Sequence, residues 1–241
     1  MSKNKVLDED EAPQSRYEKS AAFNPNAYVG MLYNEYKHVA FDEERAPQFL
    51  GRWRELAFVN LAGASQMPLD LEIGTGNGNH FAHLGAKHSD RLLVGLELKF
   101  KPLIQSIRRA LKLGCKNVCI TRFDANLLPK IFAPKEIDNI YIHHPDPWPR
   151  RRDWKHRLIQ DQFLNELFEM QKSGCFVDFK TDSLEYFDWA EEKFLKSKYQ
   201  IVRLTRDLHN SEWASENFIT HFEKLFLRKS QPIFYCRLFH Q

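Results

Sequence analysis

Short runs of consecutive apolar residues alternate along this chain with stretches whose apolar positions repeat every three or four residues. The runs are Leu69–Ile73, Leu92–Leu96, Val118–Phe123, Ile137–Ile142, Cys175–Phe179, Gln200–Leu204 and Ile233–Phe239. Each has the length and texture of a buried strand. Helical spacing appears at Ile104, Ile107 and Leu111, then at Ile159, Phe163, Leu167 and Met170, and again from Asp182 to Lys196. Strands alternating with helices predict an α/β fold on a parallel sheet. The last two runs lack a crossover helix of the same kind, which leaves them open to antiparallel pairing. Upstream, Leu50, Trp53, Leu56 and Ala57 follow helical spacing after Pro47. Residues 21–45 read as an ordered arm carrying Phe23, Tyr28, Tyr33 and Tyr36, and residues 1–20 as a disordered, polar tail. No internal repeat or low-complexity linker divides the rest, so a tail and arm over 1–45 and one domain over 46–241 are expected.

Composition sets outer limits. The 241 residues include 35 Lys and Arg against 32 Asp and Glu, a net charge of +3, which does not by itself announce nucleic acid. Hydrophobic residues make up 43% and aromatics 13%, enough for a packed core. No apolar run approaches the ~18 residues of a membrane span. The start has no apolar segment of a signal peptide, and its acidic run argues against a transit peptide, so a cytoplasmic protein is expected. The four cysteines form no CxxC pair and read as reduced, mostly buried thiols. The ten histidines show no metal-site spacing. His143 and His144 are adjacent on a strand, point to opposite faces, and cannot share one ion. No metal is expected.

Chemistry first appears in Leu69-Asp-Leu-Glu-Ile-Gly-Thr-Gly-Asn-Gly78, a buried strand running into alternating glycines. Such a loop lets backbone approach a ligand closely and turn into a helix. The spacing is Gly74-x-Gly76-x-Gly78, and the third glycine of a dinucleotide fingerprint would fall on Asn79, which disfavours a pyrophosphate. Glu97 ends the next strand, 23 residues after Gly74, where an acid accepts hydrogen bonds from ribose hydroxyls. A nucleoside cofactor without pyrophosphate fits, and S-adenosylmethionine is one. Asp124 follows the third run and, with Glu72, stands at or near a strand end. Glu72 is assigned to the methionine amino group and Asp124 to the adenine edge. The competing role for Asp124 is a helix cap.

The most distinctive segment is His143-His-Pro-Asp-Pro-Trp-Pro-Arg-Arg-Arg-Asp-Trp-Lys-His-Arg157. Three prolines in five residues stiffen a loop holding Asp146 and Trp148, a form suited to gripping a flat base. Arg150, Arg151, Arg152, Lys155 and Arg157 outweigh Asp146 and Asp153 to leave +3 locally, equal to the net of the whole chain. Lys99 to Lys116 holds six basic residues and no acid. Two basic segments around one cofactor site would bind phosphates without reading sequence. Between them and the acidic residues 1–18, an ordinary net charge becomes an uneven distribution.

The glycine loop, Glu97, Asp124 and above all Pro145-Asp-Pro-Trp-Pro-Arg-Arg-Arg152 resemble the tRNA (guanine-N7-)-methyltransferase family, bacterial type. Thr181-Asp-Ser-Leu-Glu-Tyr186 and Thr220-His-Phe-Glu223 resemble two further family motifs. The resemblance runs from about Leu69 to the C-terminus. It implies the Rossmann-like, seven-stranded S-adenosylmethionine methyltransferase fold, with a mostly parallel sheet and an antiparallel strand near the C-terminus. It implies methylation of N7 of guanine 46 in the tRNA variable loop, without an obligatory protein subunit, as monomer or homodimer. Position by position, Glu72, Gly74, Gly76, Gly78, Glu97, Asp124 and Asp146 would surround the cofactor, with Asp146 catalytic. Arg150, Arg151, Arg152, Lys155, Asp182, Thr220 and Glu223 would meet tRNA. Capping is the competing role for the two late motifs.

The chain departs from the family pattern at Asp153 and His156 in the basic run, and at Lys229-Ser-Gln-Pro232, where a glycine is usual. Two other functions stay open on the residues alone. One is a methyltransferase for a different RNA or a small molecule; the other is an idle RNA-binding module on the same fold. Intact Glu72, Gly74, Gly76, Glu97 and Asp146 argue against the second.

Overall fold

The computed structural model describes residues 26–56 and 61–241. The tail expected over 1–20, Phe23 and Ala57 lie outside the described residues. Eight strands form one sheet: β1 (Ala40–Phe41), β2 (Leu69–Ile73), β3 (Leu92–Leu96), β4 (Val118–Thr121), β5 (Ile140–His143), β6 (Phe176–Thr181), β7 (Gln200–Thr205) and β8 (Phe234–Phe239). Their order is β1-β4-β3-β2-β5-β6-β8-β7. Neighbours from β1 to β6 pair parallel, and β8 runs antiparallel to both β6 and β7. The sheet is mostly parallel with one antiparallel strand, as the family resemblance implies; the apolar runs leave the last two strands open to that pairing, and the edge strand β1 brings the count to eight where seven were expected.

The helices are α1 (Ala27–Tyr33), α2 (Trp53–Leu56), α3 (Asn79–Lys87), α4 (Phe100–Lys112), α5 (Asp161–Met170), α6 (Leu184–Lys196) and α7 (His221–Leu227). Every residue of β2 and β3 is buried, because helices cover both faces there. On one face Leu71, Ile73, Ile140 and Ile142 pack with Phe163 and Leu167 of α5 and Phe187, Ala190 and Phe194 of α6. On the other, Leu93, Ile120 and Tyr141 pack with Phe81 of α3 and with Leu103, Ile104 and Ile107 of α4. Of the helical spacing read from Ile104, Ile107 and Leu111, the first two form the buried face of α4 and Leu111 is exposed, as are all six basic residues from Lys99 to Lys116.

Residues 27–41 of the arm join this body. Val29, Leu32 and Tyr33 of α1 are buried in the α4 layer, and Ala40–Phe41 adds an edge strand to β4. A two-residue strand carries no periodicity, so its sequence gives no signal. The helix expected after Pro47 is divided: a 3₁₀ turn covers Ala46–Phe49 and α2 begins only at Trp53.

In a mostly parallel sheet the strands share one C-terminal edge. There the order departs from sequence order between β2 and β5, and the ligand crevice of an open α/β sheet lies at that point.

Candidate active site

The crevice is a cleft of about 460 Å³ lined by the ends of β2 to β5 and the loops that leave them. Gly74 and Gly76 both have φ in the left-handed region, +78° and +54°, and a Cβ on either would meet no atom within 4 Å. Both glycines line the cleft, so what they leave open is ligand space and not core. The loop itself is tied down. Gly74 and Thr75 donate their N–H groups to the Leu96 carbonyl, and Ser106 of α4 bonds both the Thr75 hydroxyl and the Gly76 carbonyl at 3.0 Å. Gly78 does not line the cleft. It caps α3 with φ +77°, and a Cβ there would sit 2.3 Å from the Ser106 Cα.

Glu97 faces the loop across the cleft. Its two carboxylate oxygens accept the N–H groups of Gly76 and Lys99, each at 3.0 Å. Burial pushes its pKa up, against the pull of those two N–H groups. A carboxylate has about four acceptor sites, so two remain for a diol. Asp124 begins the 3₁₀ stretch Ala125–Lys130, where its Oδ1 accepts from the Asn126 backbone N–H at 2.9 Å. It therefore caps that turn and lines the cleft as well. Glu72 behaves differently. It is 2% exposed, lies outside the cleft lining, and its Oε2 is 2.9 Å from Nδ1 of His80 on α3. Five of the seven positions expected around the cofactor thus converge: Gly74, Gly76, Glu97, Asp124 and Asp146. Gly78 donates its N–H to the Thr75 carbonyl of the loop, while Glu72 pairs with His80 on α3.

The proline loop closes the other side. β5 ends at His143, and the His144 N–H extends its ladder by bonding the Lys180 carbonyl at 2.8 Å. His144 then takes φ +52° and Trp148 φ +45°, two left-handed non-glycine residues around Pro145-Asp-Pro147. Asp146 lines the cleft, is exposed, and has no protein partner among the described residues. Arg157 holds the far end of the loop. Its side chain is fully buried, donates to the carbonyls of Pro147 and Trp148, and pairs with Glu185 at 2.6 Å. Its guanidinium sits 4.3 Å from the Trp154 ring centroid and 5.1 Å from that of Tyr186. Arg157 therefore leaves the basic surface to which the sequence assigned it.

The remaining basic residues do form a surface. Arg151 to His156 is a 3₁₀ helix with no buried residue. Arg150 and Arg152 are about 70% exposed and flank Asp153 at 3.2 and 3.9 Å. The late motifs go inward. Thr220 caps α7, its hydroxyl accepting the Glu223 N–H at 3.1 Å. Glu223 is 0% exposed, so neither it nor the largely buried Thr220 forms part of the exposed basic face. Asp182 does not cap α6, where Ser183 does, but stands 3.1 Å from His144 Nδ1.

A larger cavity of about 690 Å³ lies between α3, one face of β5 to β8 and residues 208–218. Its arginines are already paired: Arg91 with Asp70, Arg203 with Glu216 and Arg237 with Asp178. Neither the glycine loop nor the proline loop lines it. The 460 Å³ cleft, where both loops meet, is the candidate site.

Residues 66–236 match the family model described as a putative methyltransferase. The chain is 55% identical over 207 residues to a tRNA (guanine-N(7)-)-methyltransferase of Bdellovibrio bacteriovorus, covering 86% of this chain and 98% of that one. The chain belongs to the tRNA (guanine-N7-)-methyltransferase family. Another family member, from Lachnoclostridium phytofermentans, is 32% identical over 87% of this chain and 92% of its own length. Among solved structures, an rRNA methylase from Streptococcus thermophilus shares the fold with a TM-score of 0.51 at 14% identity, over 72% of this chain and 87% of that one. An S-adenosylmethionine-dependent methyltransferase from Aquifex aeolicus has a TM-score of 0.50 at 13% identity, over 80% and 97%. Among the described residues no helix is long and apolar enough to cross a membrane, and no cluster of His, Cys, Asp or Glu has the arrangement of a metal site.

Proposed function

We propose that this methyltransferase acts at the C-terminal edge of the sheet, transferring a methyl group from S-adenosylmethionine to N7 of guanine 46 in the variable loop of tRNA. One observation carries the reading: an exposed Asp146, without a side-chain partner among the described residues, stands on a proline-locked loop and shares a cleft with the glycine loop and Glu97. The open space beside Gly74 and Gly76, with acceptors at Glu97 and Asp124, fits a nucleoside with a short, polar tail. When bound, the cofactor supplies an electrophilic methyl group on a sulfonium. Glu97 would hold its ribose and Asp124 its adenine edge.

Guanine N7 carries an in-plane lone pair and no proton, so no strong general base is required. What the chain must supply is alignment and compensation of the charge that appears on the methylated base. Asp146 accepts hydrogen bonds from guanine N–H groups and offsets that charge. Trp148, 38% exposed at the cleft, shapes the loop or touches the base. Arg150, Arg151, Arg152 and Lys155 hold phosphates, with the exposed face of α4 as a second basic surface. We further read the protein as cytoplasmic and as working without a separate subunit, as monomer or homodimer.

The test is direct. Purified protein, labelled S-adenosylmethionine and unmodified tRNA are incubated, and the label is mapped by cleavage chemistry selective for 7-methylguanine. Label at the variable-loop guanine is expected. No label in tRNA, or label at another base, overturns the reading.

A further inference from the structure

The proline loop is stiff within itself, but stiffness alone does not aim it. Its direction is set where it leaves β5, at His144, the one left-handed residue between the strand and Pro145. That conformation is unfavourable for a non-glycine residue, so something must hold it. The His144 side chain is 9% exposed and lies between two carboxylates: Nδ1 is 3.1 Å from Asp182 Oδ1, and Nε2 is 3.8 Å from Glu223 Oε1. Phe222 and Phe226 of α7 pack on its ring at centroid distances of 4.9 and 6.3 Å. Glu223 is itself immobilised. Its carboxylate accepts from the Asn217 amide at 2.9 Å and lies 3.4 Å from Lys180 Nζ and 3.5 Å from His209 Nε2.

We propose that His144 is the positioning residue for Asp146: its ring, clamped by Asp182 and Glu223, pins the left-handed turn that carries Asp146 into the cleft. The clamp joins three elements. His144 lies at the end of β5, Asp182 just beyond β6, and Glu223 in the first turn of α7. Asp182 and Glu223 then serve the reaction from within the protein, through His144, in place of the tRNA contacts their motifs imply. Arg157 performs the matching task at the other end, through the Pro147 and Trp148 carbonyls. The inference rests on the catalytic role of Asp146 given above and deepens it.

The experiment begins with wild-type label incorporation into tRNA. Failure there removes the proposed function and this inference with it. With an active wild type, His144→Asn keeps a residue tolerant of left-handed backbone but too short to span the clamp. It should lower kcat on the order of 10- to 100-fold, the cost of misplacing a reacting group by about an ångström. KM for tRNA and Kd for S-adenosylmethionine should stay within about two-fold of wild type. In an Asp146→Asn background the same change should lower kcat little further, because a residue acting only through Asp146 has nothing left to position. Asp182→Asn loosens the clamp from its partly exposed side without entering the core, and decides the matter should His144→Asn lose its fold. It should lower kcat in the same direction, less deeply. Unchanged kcat in both variants, additive losses with Asp146→Asn, or a rise in KM for tRNA alone each overturn the positioning role and leave the methyltransferase reading intact.

Discussion

The glycine loop after β2 and the proline loop after β5 leave neighbouring parallel strands at the same edge of the sheet and face each other across one cleft. They solve opposite problems. The first must leave room, and Gly74 and Gly76 do so by lacking a side chain where φ is positive. The second must place one carboxylate, and it does so with prolines on either side and two enclosed side chains flanking them, His144 before and Arg157 after. One loop is shaped by what is absent and the other by what restrains it. A substitution should therefore act on cofactor affinity in the first loop and on turnover in the second.

Asp146→Asn should break the comparison most deeply if it is wrong. It keeps the loop and the cofactor pocket but removes the charge proposed to offset the methylated base. Single-turnover methylation should slow on the order of 100- to 1,000-fold, the scale of deleting one preorganised electrostatic group. Calorimetric affinity for S-adenosylmethionine should be unchanged. A rate within a few-fold of wild type would remove Asp146 from the mechanism.

Gly76→Val should give the reverse pattern. Its side chain enters the open space of the cleft from a backbone already strained for any side chain at φ +54°, and an overfilled pocket costs about 1–3 kcal/mol, or roughly 5- to 150-fold in Kd. Methylation at saturating cofactor should recover most of the wild-type rate. If turnover fell and affinity did not, the division of labour between the loops would be wrong.

The contrast also explains what could be read from the chain before folding. Glycine spacing, strand runs and proline content are local, so the cleft and its two loops were legible, whereas the runs only leave antiparallel pairing open and the family resemblance implies it. Burial and pairing are not local. Nothing in Asp146–Arg157 separates exposed Arg150 and Arg152 from Arg157, whose guanidinium is enclosed by Trp154, Tyr186 and Trp189, two of them on α6. Glu72 follows the same logic. Its place at the end of β2 fits a cofactor contact, yet His80 of α3 takes its carboxylate. His143 packs on His80 and His144 on Phe222, but both line the cleft, because His144 is left-handed and lies past the end of β5 and does not continue the strand's alternation. The Asp182 and Glu223 partners of His144 come from sequence positions 38 and 79 residues away, beyond any spacing rule.

Replacing Arg151 and Arg152 by Glu tests the outer rim of the proline loop, where a smaller effect is expected. These side chains are exposed, and their contribution to phosphate binding is screened by salt. The affinity for tRNA should fall at low salt, and the slope of log K against log salt should flatten by about 0.7–0.9 for each phosphate no longer neutralised. Cofactor affinity should not move. Unchanged tRNA binding would place the phosphates elsewhere, with the basic face of α4 as the next surface to reverse.

The smallest effect expected is in the pH dependence of stability, and it bears on whether the clamp behind the proline loop is ionic. Burial pushes the His144 pKa down, but the carboxylates of Asp182 and Glu223 outweigh it and leave it raised. Burial pushes Glu223 up, but His144, Lys180 and the Asn217 amide outweigh that and hold it at about 2. Asp182 is lowered by the same imidazole against its own burial. His209, Lys180 and the neutral, buried His143 are the other titratable groups facing the cluster. A raised histidine stabilises fully below its unfolded value of ~6.5 and loses that contribution as pH climbs through its folded value. A lowered carboxylate stabilises above its unfolded value of ~4 and loses that contribution as pH falls toward its folded value. The clamp is therefore strongest between about pH 4.5 and 6.5. The Tm gap between wild type and His144→Asn should be widest in that window, about 2–4 °C for each kcal/mol in a chain of this size, and narrow on both sides. A gap that stayed constant from pH 4 to 9 would mean that His144 is neutral in the folded protein. Its ring would then hold the turn by shape and one hydrogen bond, and the two loops would differ only in their backbone.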